Sequence, residues 1–161
     1  MTQVIADRMT ARREGGLVVF LIGARVNRWW KIHRWLPVVL AMPRMLRELY
    51  RNPEIGFLGA VSHGTLMVQY WESQEHLLRY AKDRNAAHFP AWKDFYRRVG
   101  TNGDVGIWHE TYVVPSGGYE SVYVNMPRFG LGSVAELVPA RGQHATAAGR
   151  LAPRAKQPTA A

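Results

Sequence analysis

The residues through which this chain could do chemistry are a few histidines and the polar groups on otherwise apolar stretches. His88 stands between two pieces of helical pattern, two residues before Pro90. An imidazole there suits proton transfer near neutral pH, and it is also a type of ligand that holds haem iron. The other reading of the same position is a cap, a side chain hydrogen-bonded to the start of the following helix. In VGIWHETYVV, His109 alternates with Ile107 and Thr111, while Trp108, Glu110 and Tyr112 share the opposite face. Whichever face looks into a pocket brings either an imidazole or a carboxylate flanked by two aromatic rings. A buried Glu110 needs a partner or a raised pKa, which would make it a second general base; a residue satisfied at a subunit interface is the alternative for either face. Asn27, Tyr70, Tyr123 and Asn125 could position a carbonyl or dioxygen, or could be satisfied polar groups of core and rim. Trp71, Trp92, Phe95 and Trp108 complete the candidate substrate-binding set.

Other chemistries are excluded. The chain has no cysteine, hence no disulfide, thiolate metal site or thiol nucleophile. His33, His63, His76 and His144 read as surface or turn residues, and no pair of His and carboxylates has spacing such as HExxH. The glycines of GGLVVF and GLGSV lack the strand–turn–helix setting of a phosphate-cradling loop.

These residues need elements to position them. Residues 16–26 (GLVVFLIGARV) form a nearly continuous β-branched and apolar run, the pattern of a strand covered on both faces. In a small domain a second copy of the chain is the obvious second cover. Pro37 suits the first turn of a helix carrying Met42, Met45, Leu46 and Leu49 at helical spacing, with a kink or late start at Pro43 and an end at Asn52-Pro53. IGFLGAVS and TLMVQYW read as a hairpin turning at His63-Gly64. Ser73 is an N-cap for QEHLLRYAKD, and a second helical piece from Pro90 to Val99 closes at Gly100. VGIWHETYVV and YESVYVN follow as strands around Pro115-Ser-Gly-Gly118. The order is β-α-β-β-α-β plus one strand: an α+β domain of the ferredoxin-like type. Its expected bounds are a flexible N-terminus over 1–15, the domain over 16–138 and a disordered basic tail over 139–161, rich in Ala, Pro, Gly and Thr.

The net charge of +9 over 161 residues is unevenly spread. Residues 25–51 carry +6 and the tail +4, whereas 52–138 carry −2. No nucleic-acid-binding motif accompanies this charge, so a nucleic-acid partner is not expected. Arg28-Trp-Trp-Lys-Ile-His-Arg-Trp is the most unusual stretch. Its Trp29, Trp30 and Trp35 suit packing on the protein body, a substrate mouth or, third, contact with a membrane surface. No apolar run approaches the ~20 residues of a membrane span, and residues 1–14 hold no apolar leader, so the expected location is cytoplasmic.

YWESQEHLLRYAKDRNAAHFPAWKDF followed by WHETYVV resembles the antibiotic-biosynthesis-monooxygenase-like group of dimeric α+β barrels, and WHETY with YVNMP and GLG is similar to its subgroup of bacterial and fungal monooxygenases. The resemblance runs from about Gly16 to Leu131, with Trp71 and His88 the positions of superfamily-wide character. It implies a homodimer whose sheets face each other, with a pocket between sheet and helices in each protomer. Members include cofactor-free oxygenases, haem-degrading enzymes, haem-dependent dehydratases and peroxidases, cyclases, isomerases and proteins with no demonstrated activity. Asn27 and His88 match the Asn and His of haem-degrading members, but Tyr80 stands near the position of their Trp.

From that resemblance the leading expectation is a small oxygenase of secondary metabolism acting on a hydrophobic, polyketide-like or aromatic substrate. His88, Glu110 or His109 would take a proton, and Asn27 or a Trp would stabilise reduced oxygen. The cofactor is none or haem, with His88 the iron ligand only if haem is bound. A haem enzyme of dehydratase or peroxide chemistry, a non-oxidative cyclase or isomerase, and a dimeric binding module stay open beside it.

Overall fold

The computed structural model describes residues 3–86 and 88–151, without the side chains of His88, Ala91, Trp92 and Arg98. It divides into two compact units, one from Met1–Leu17 with Val113–Ala161 and one from Val18–Tyr112.

The central unit holds β2 (Leu17–Val26), α1 (Ile32–Arg51), β3 (Phe57–His63), β4 (Leu66–Trp71), α2 (Gln74–Lys82), α3 (His88–Arg98) and most of β5 (Val105–Val114), after β1 (Ile5–Arg12). Its sheet runs β3-β4-β2-β5. β4 is antiparallel to both β2 and β3. Numbered from β2, this is the 4-1-3-2 order that two split β-α-β units produce, so the fold is ferredoxin-like α+β.

Period-two alternation gives this sheet two distinct faces. Val18 and Phe20 of β2 and Trp71 of β4 join Leu49, Phe57 and Leu77 in the core under the helices. The opposite face carries Trp108, which lies across β2 at Gly23. A Cβ at residue 23 would sit 2.7 Å from the indole Nε1, so only glycine lets Trp108 rest there. The hairpin turns at Gly64-Thr65, with His63 paired to Leu66 and Gly64 at φ 57°, one residue later than the expected turn.

α1 begins at Ile32, five residues ahead of the expected start at Pro37, and continues through Pro37 and Pro43. Each proline removes one N–H donor from the helix ladder. The apolar stripe that faces the sheet, including Met42, Met45 and Leu49, keeps the helix going beyond what propensity alone would support. Ser73 caps α2 as expected, accepting from the backbone N–H of His76 at 3.3 Å. α3 starts at His88 and ends with Gly100 at φ 52°, its N–H donating to the Phe95 carbonyl at 3.2 Å.

The terminal unit differs from the flexible arms expected of its sequence. Residues 5–12 form β1, the centre of a sheet ordered β6-β1-β7, with β6 at Tyr123–Met126 and β7 at Glu136–Pro139. Both neighbours pair antiparallel to β1. Beyond residue 138, where a tail was expected, a short 3-10 turn and α4 (Ala147–Leu151) follow, tied by Arg150 to Glu120 and by Arg141 to Asp7 at 2.9 Å. The charges of Asp7, Arg8 and Arg12 had masked the strand pattern of IADRMTAR. The expected disorder of residues 152–161 falls outside the described residues.

Candidate active site

A cavity of about 610 Å³ lies within the central unit between the helices and their face of the sheet. α1 supplies one wall through Leu36, Val39, Leu40, Met42 and Met45. The sheet supplies Phe20, Ile22, Met67, Gln69, Trp71 and Ile107, and α2 and α3 close it with Leu77, Tyr80 and Phe95. A predominantly apolar enclosure with a few fixed polar groups is what a hydrophobic small molecule requires.

Trp71 is completely buried and packs edge-on against Phe57 and tilted against Tyr80, with centroids 5.4 and 5.5 Å apart. Its indole Nε1 donates to the Gln69 side-chain oxygen at 3.1 Å. Because an indole N–H only donates, this bond fixes which end of the amide is oxygen. Gln69 is 6% exposed, and its Nε2 donates to the thioether of Met67 at 3.4 Å, a weak acceptor. An NH₂ group has two donors, so Gln69 brings an oriented, under-used hydrogen-bond donor to the wall of an apolar space.

Tyr80 supplies a second polar group. Its hydroxyl donates to Glu48 Oε2 on α1 at 3.0 Å. Burial first, and then that hydrogen bond, push the phenol well above its ordinary value, so Tyr80 is neutral across the physiological range.

The structure sorts the residues singled out in the sequence. Trp71 and Phe95 line the cavity. His109 is on the helix-covered face, its ring 5.5 Å from that of the cavity residue Phe20. Trp108, Glu110 and Tyr112 lie on the face turned away from the helices. There Glu110 is exposed and accepts a 2.6 Å hydrogen bond from Tyr112, which holds the Tyr112 hydroxyl above its ordinary value. Tyr70 is buried, one residue out of phase with Gln69 and Trp71. Asn27 ties the end of β2 to the loop before β5, donating to the Gly103 carbonyl at 3.1 Å. Tyr123 and Asn125 belong to the terminal unit. The Tyr123 hydroxyl accepts from the Gly132 N–H at 2.9 Å, and Asn125 sits at φ 53°. The side chains of His88 and Trp92 fall outside the described residues, although α3, which begins at His88, lines the cavity through Pro90 and Phe95.

Gln69 and the Tyr80–Glu48 pair were missed in the sequence. The β4 alternation, Met67-x-Gln69-x-Trp71, did carry a signal: a polar residue on the buried phase of a strand needs a partner.

Among the described residues, no group of three or more His, Asp and Glu side chains could hold a metal ion. The described cavity wall offers Met thioethers, the Asp94 carboxylate and the Tyr80 phenol, and the side chain of His88, the expected haem ligand, lies outside the described residues. That phenol is bonded to Glu48 and disfavoured as a phenolate, whereas a Met thioether is a ligand type that haem iron accepts.

Comparison with known proteins agrees with the region that forms the cavity. Residues 17–131 match the family described as Monooxygenase af470-like. One relative, Monooxygenase af470 of Aspergillus fumigatus, is 37% identical over 162 residues, covering 78% of this chain and 53% of the relative. The chain thus spans about half the length of that curated protein.

Proposed function

The chain belongs to the Monooxygenase af470-like family, and on that premise we propose that it is a monooxygenase acting on a hydrophobic, aromatic or polyketide-like substrate held in the cavity between sheet and helices. The observation that carries this reading is the buried Gln69 amide, oriented by Trp71, in a predominantly apolar wall.

The substrate class that fits is a ring system with an acidic CH₂ conjugated through its rings with a carbonyl. A base removes one proton, and the carbonyl oxygen takes up negative charge. The Gln69 N–H donates to that oxygen in a water-poor space, where a fixed dipole is most effective. The electron-rich carbon then reduces dioxygen, giving a hydroperoxide that loses water. Overall, R₂CH₂ and O₂ give R₂C=O and H₂O, with the substrate supplying both electrons needed to reduce the second oxygen atom. We assign the base to His88, at the start of the helix that lines the cavity through Phe95, and the neutral Tyr80 to substrate positioning. A second copy of the chain would cover the outer sheet face. Support for a homodimer is the exposure there of Trp108 and Tyr112, apolar surface of a kind that subunit contacts bury.

Anthrone tests this reading. Wild-type protein is expected to consume O₂ with anthrone and place one ¹⁸O atom from labelled gas in the ketone product. Gln69→Leu should lower turnover by about 10²-fold or more, the scale of losing one oxyanion donor. His88→Ala should abolish turnover with little change in melting temperature. Oxygen uptake no faster than the protein-free rate across anthrone and related aromatic ketones would refute the oxygenase assignment.

A further inference from the structure

The start of α1 presents an apolar surface that the cavity chemistry does not use. Trp29 and Trp30, in the turn before the helix, are 62% and 75% exposed. Ile32, Leu36 and Leu40 follow at four-residue spacing, one stripe of the helix, and all three are exposed. Leu36 and Leu40 also line the cavity, so the stripe borders its mouth. The same spacing continues from Leu40 to Arg44, and Arg47 and Arg51 lie beside it. Arg44, Arg47 and Arg51 are exposed and form no ion pair among the described residues. The segment 25–51 contains seven Arg and Lys residues against Glu48 alone.

The strip is held in shape. Trp35 donates its indole N–H to the Trp29 carbonyl at 3.0 Å, and the two rings meet edge to face at 5.7 Å. Lys31 and Arg28 grip the buried carboxylate of Asp104 at 2.9 and 3.1 Å. Exposed indoles in this arrangement are presented, not left loose.

We propose that this strip docks the protein on an anionic lipid surface, Trp29, Trp30, Ile32 and Leu36 entering the interface and the arginines meeting headgroup charge, so that the cavity mouth faces the bilayer. The partner follows from charge and shape. A second copy seated on the same strip about a two-fold axis would bring this cationic segment against itself, which electrostatics opposes. A bilayer containing anionic lipid satisfies both halves of the strip at once, since indoles favour the interface and arginines the headgroups. No helix among the described residues is long and apolar enough to cross a membrane, so contact would be at the surface. Docking does not depend on the oxygenase reading.

The test is sedimentation of the full chain with phosphatidylcholine vesicles with and without phosphatidylserine. Wild-type protein should bind the anionic vesicles, with a blue shift in Trp fluorescence, and should be released by high salt, where screening is complete within a few ångströms. Trp30→Ser and the double variant Arg44→Glu/Arg47→Glu should each weaken binding about tenfold while melting as the wild type does. Absence of wild-type binding, or equal binding by both variants, overturns the proposal. So does a change in the oligomeric state of Trp30→Ser in lipid-free buffer, which would make the strip a contact between copies. If Trp30→Ser unfolds, the arginine variant decides alone.

Discussion

The two ends of the cavity are built by different forces. At the closed end Leu49, Trp71 and Leu77 are buried among aromatic rings, and the Gln69 and Tyr80 polar groups intrude. At the open end Leu36, Val39, Leu40 and Leu66 line the cavity while remaining exposed, and the helix start beside them is anchored by ion pairs to Asp104. Close packing fixes atoms within a fraction of an ångström and tolerates few substitutions. Ion pairs at a partly exposed site hold a segment while leaving it sensitive to pH and salt. A site that must orient a reacting carbon yet admit a large apolar molecule gains from having both.

The comparison is broken most severely by Trp71→Ala. Removing the largest fully buried side chain should cost about 3–5 kcal/mol in denaturant unfolding, the range for a large aromatic lost from a core. It also removes the donor that orients Gln69, so turnover should fall in whatever folded fraction survives.

A smaller effect is expected at the open end. The hydrogen bond from Lys31, and then the charges of Lys31, Arg28 and Arg34, hold the Asp104 carboxyl below its ordinary range. A depressed carboxylate pKa contributes stability above the unfolded value near 3.8, which is lost as pH falls through the folded value. Asp104→Asn should therefore lower the melting temperature at pH 7, with the gap to wild type closing as pH falls below 3.8 and through the depressed folded value. Trp71→Ala should show no such convergence. A gap for Asp104→Asn that stays constant with pH would mean that the ion pairs do not hold this end.

Much of the central unit was legible in the sequence because its elements obey one period each. GLVVFLIGARV, the Ser73 cap and the Gly100 stop each contain a local physical instruction, and the structure follows them. The start of α1 was misplaced because Pro37 favours a first turn locally, while the apolar stripe facing the sheet carries the helix across it. β1 and β7 were hidden for the opposite reason. Asp7, Arg8 and Arg12 make β1 look like an arm, β7 is only four residues long, and the pairing of Met9 with Pro139 spans nearly the whole chain. The candidate site was legible in part. Trp71 and Phe95 were found as aromatics, and alternation divided β5 correctly into a His109 face and a Glu110 face without saying which faced the helices. Gln69 stayed hidden because a single polar residue within MVQYW reveals its role only beside Trp71.

The central claim is that substrate reacts in the helix-covered cavity. The most direct measurement is a crystal structure of the protein with anthraquinone, the expected product from anthrone. The ring system should lie in the cavity against Trp71 and Phe95, with a carbonyl oxygen within hydrogen-bond distance of Gln69 Nε2. Binding instead on the outer sheet face, against Trp108 and beside Glu110, would contradict the account and move the chemistry to the other side of the sheet.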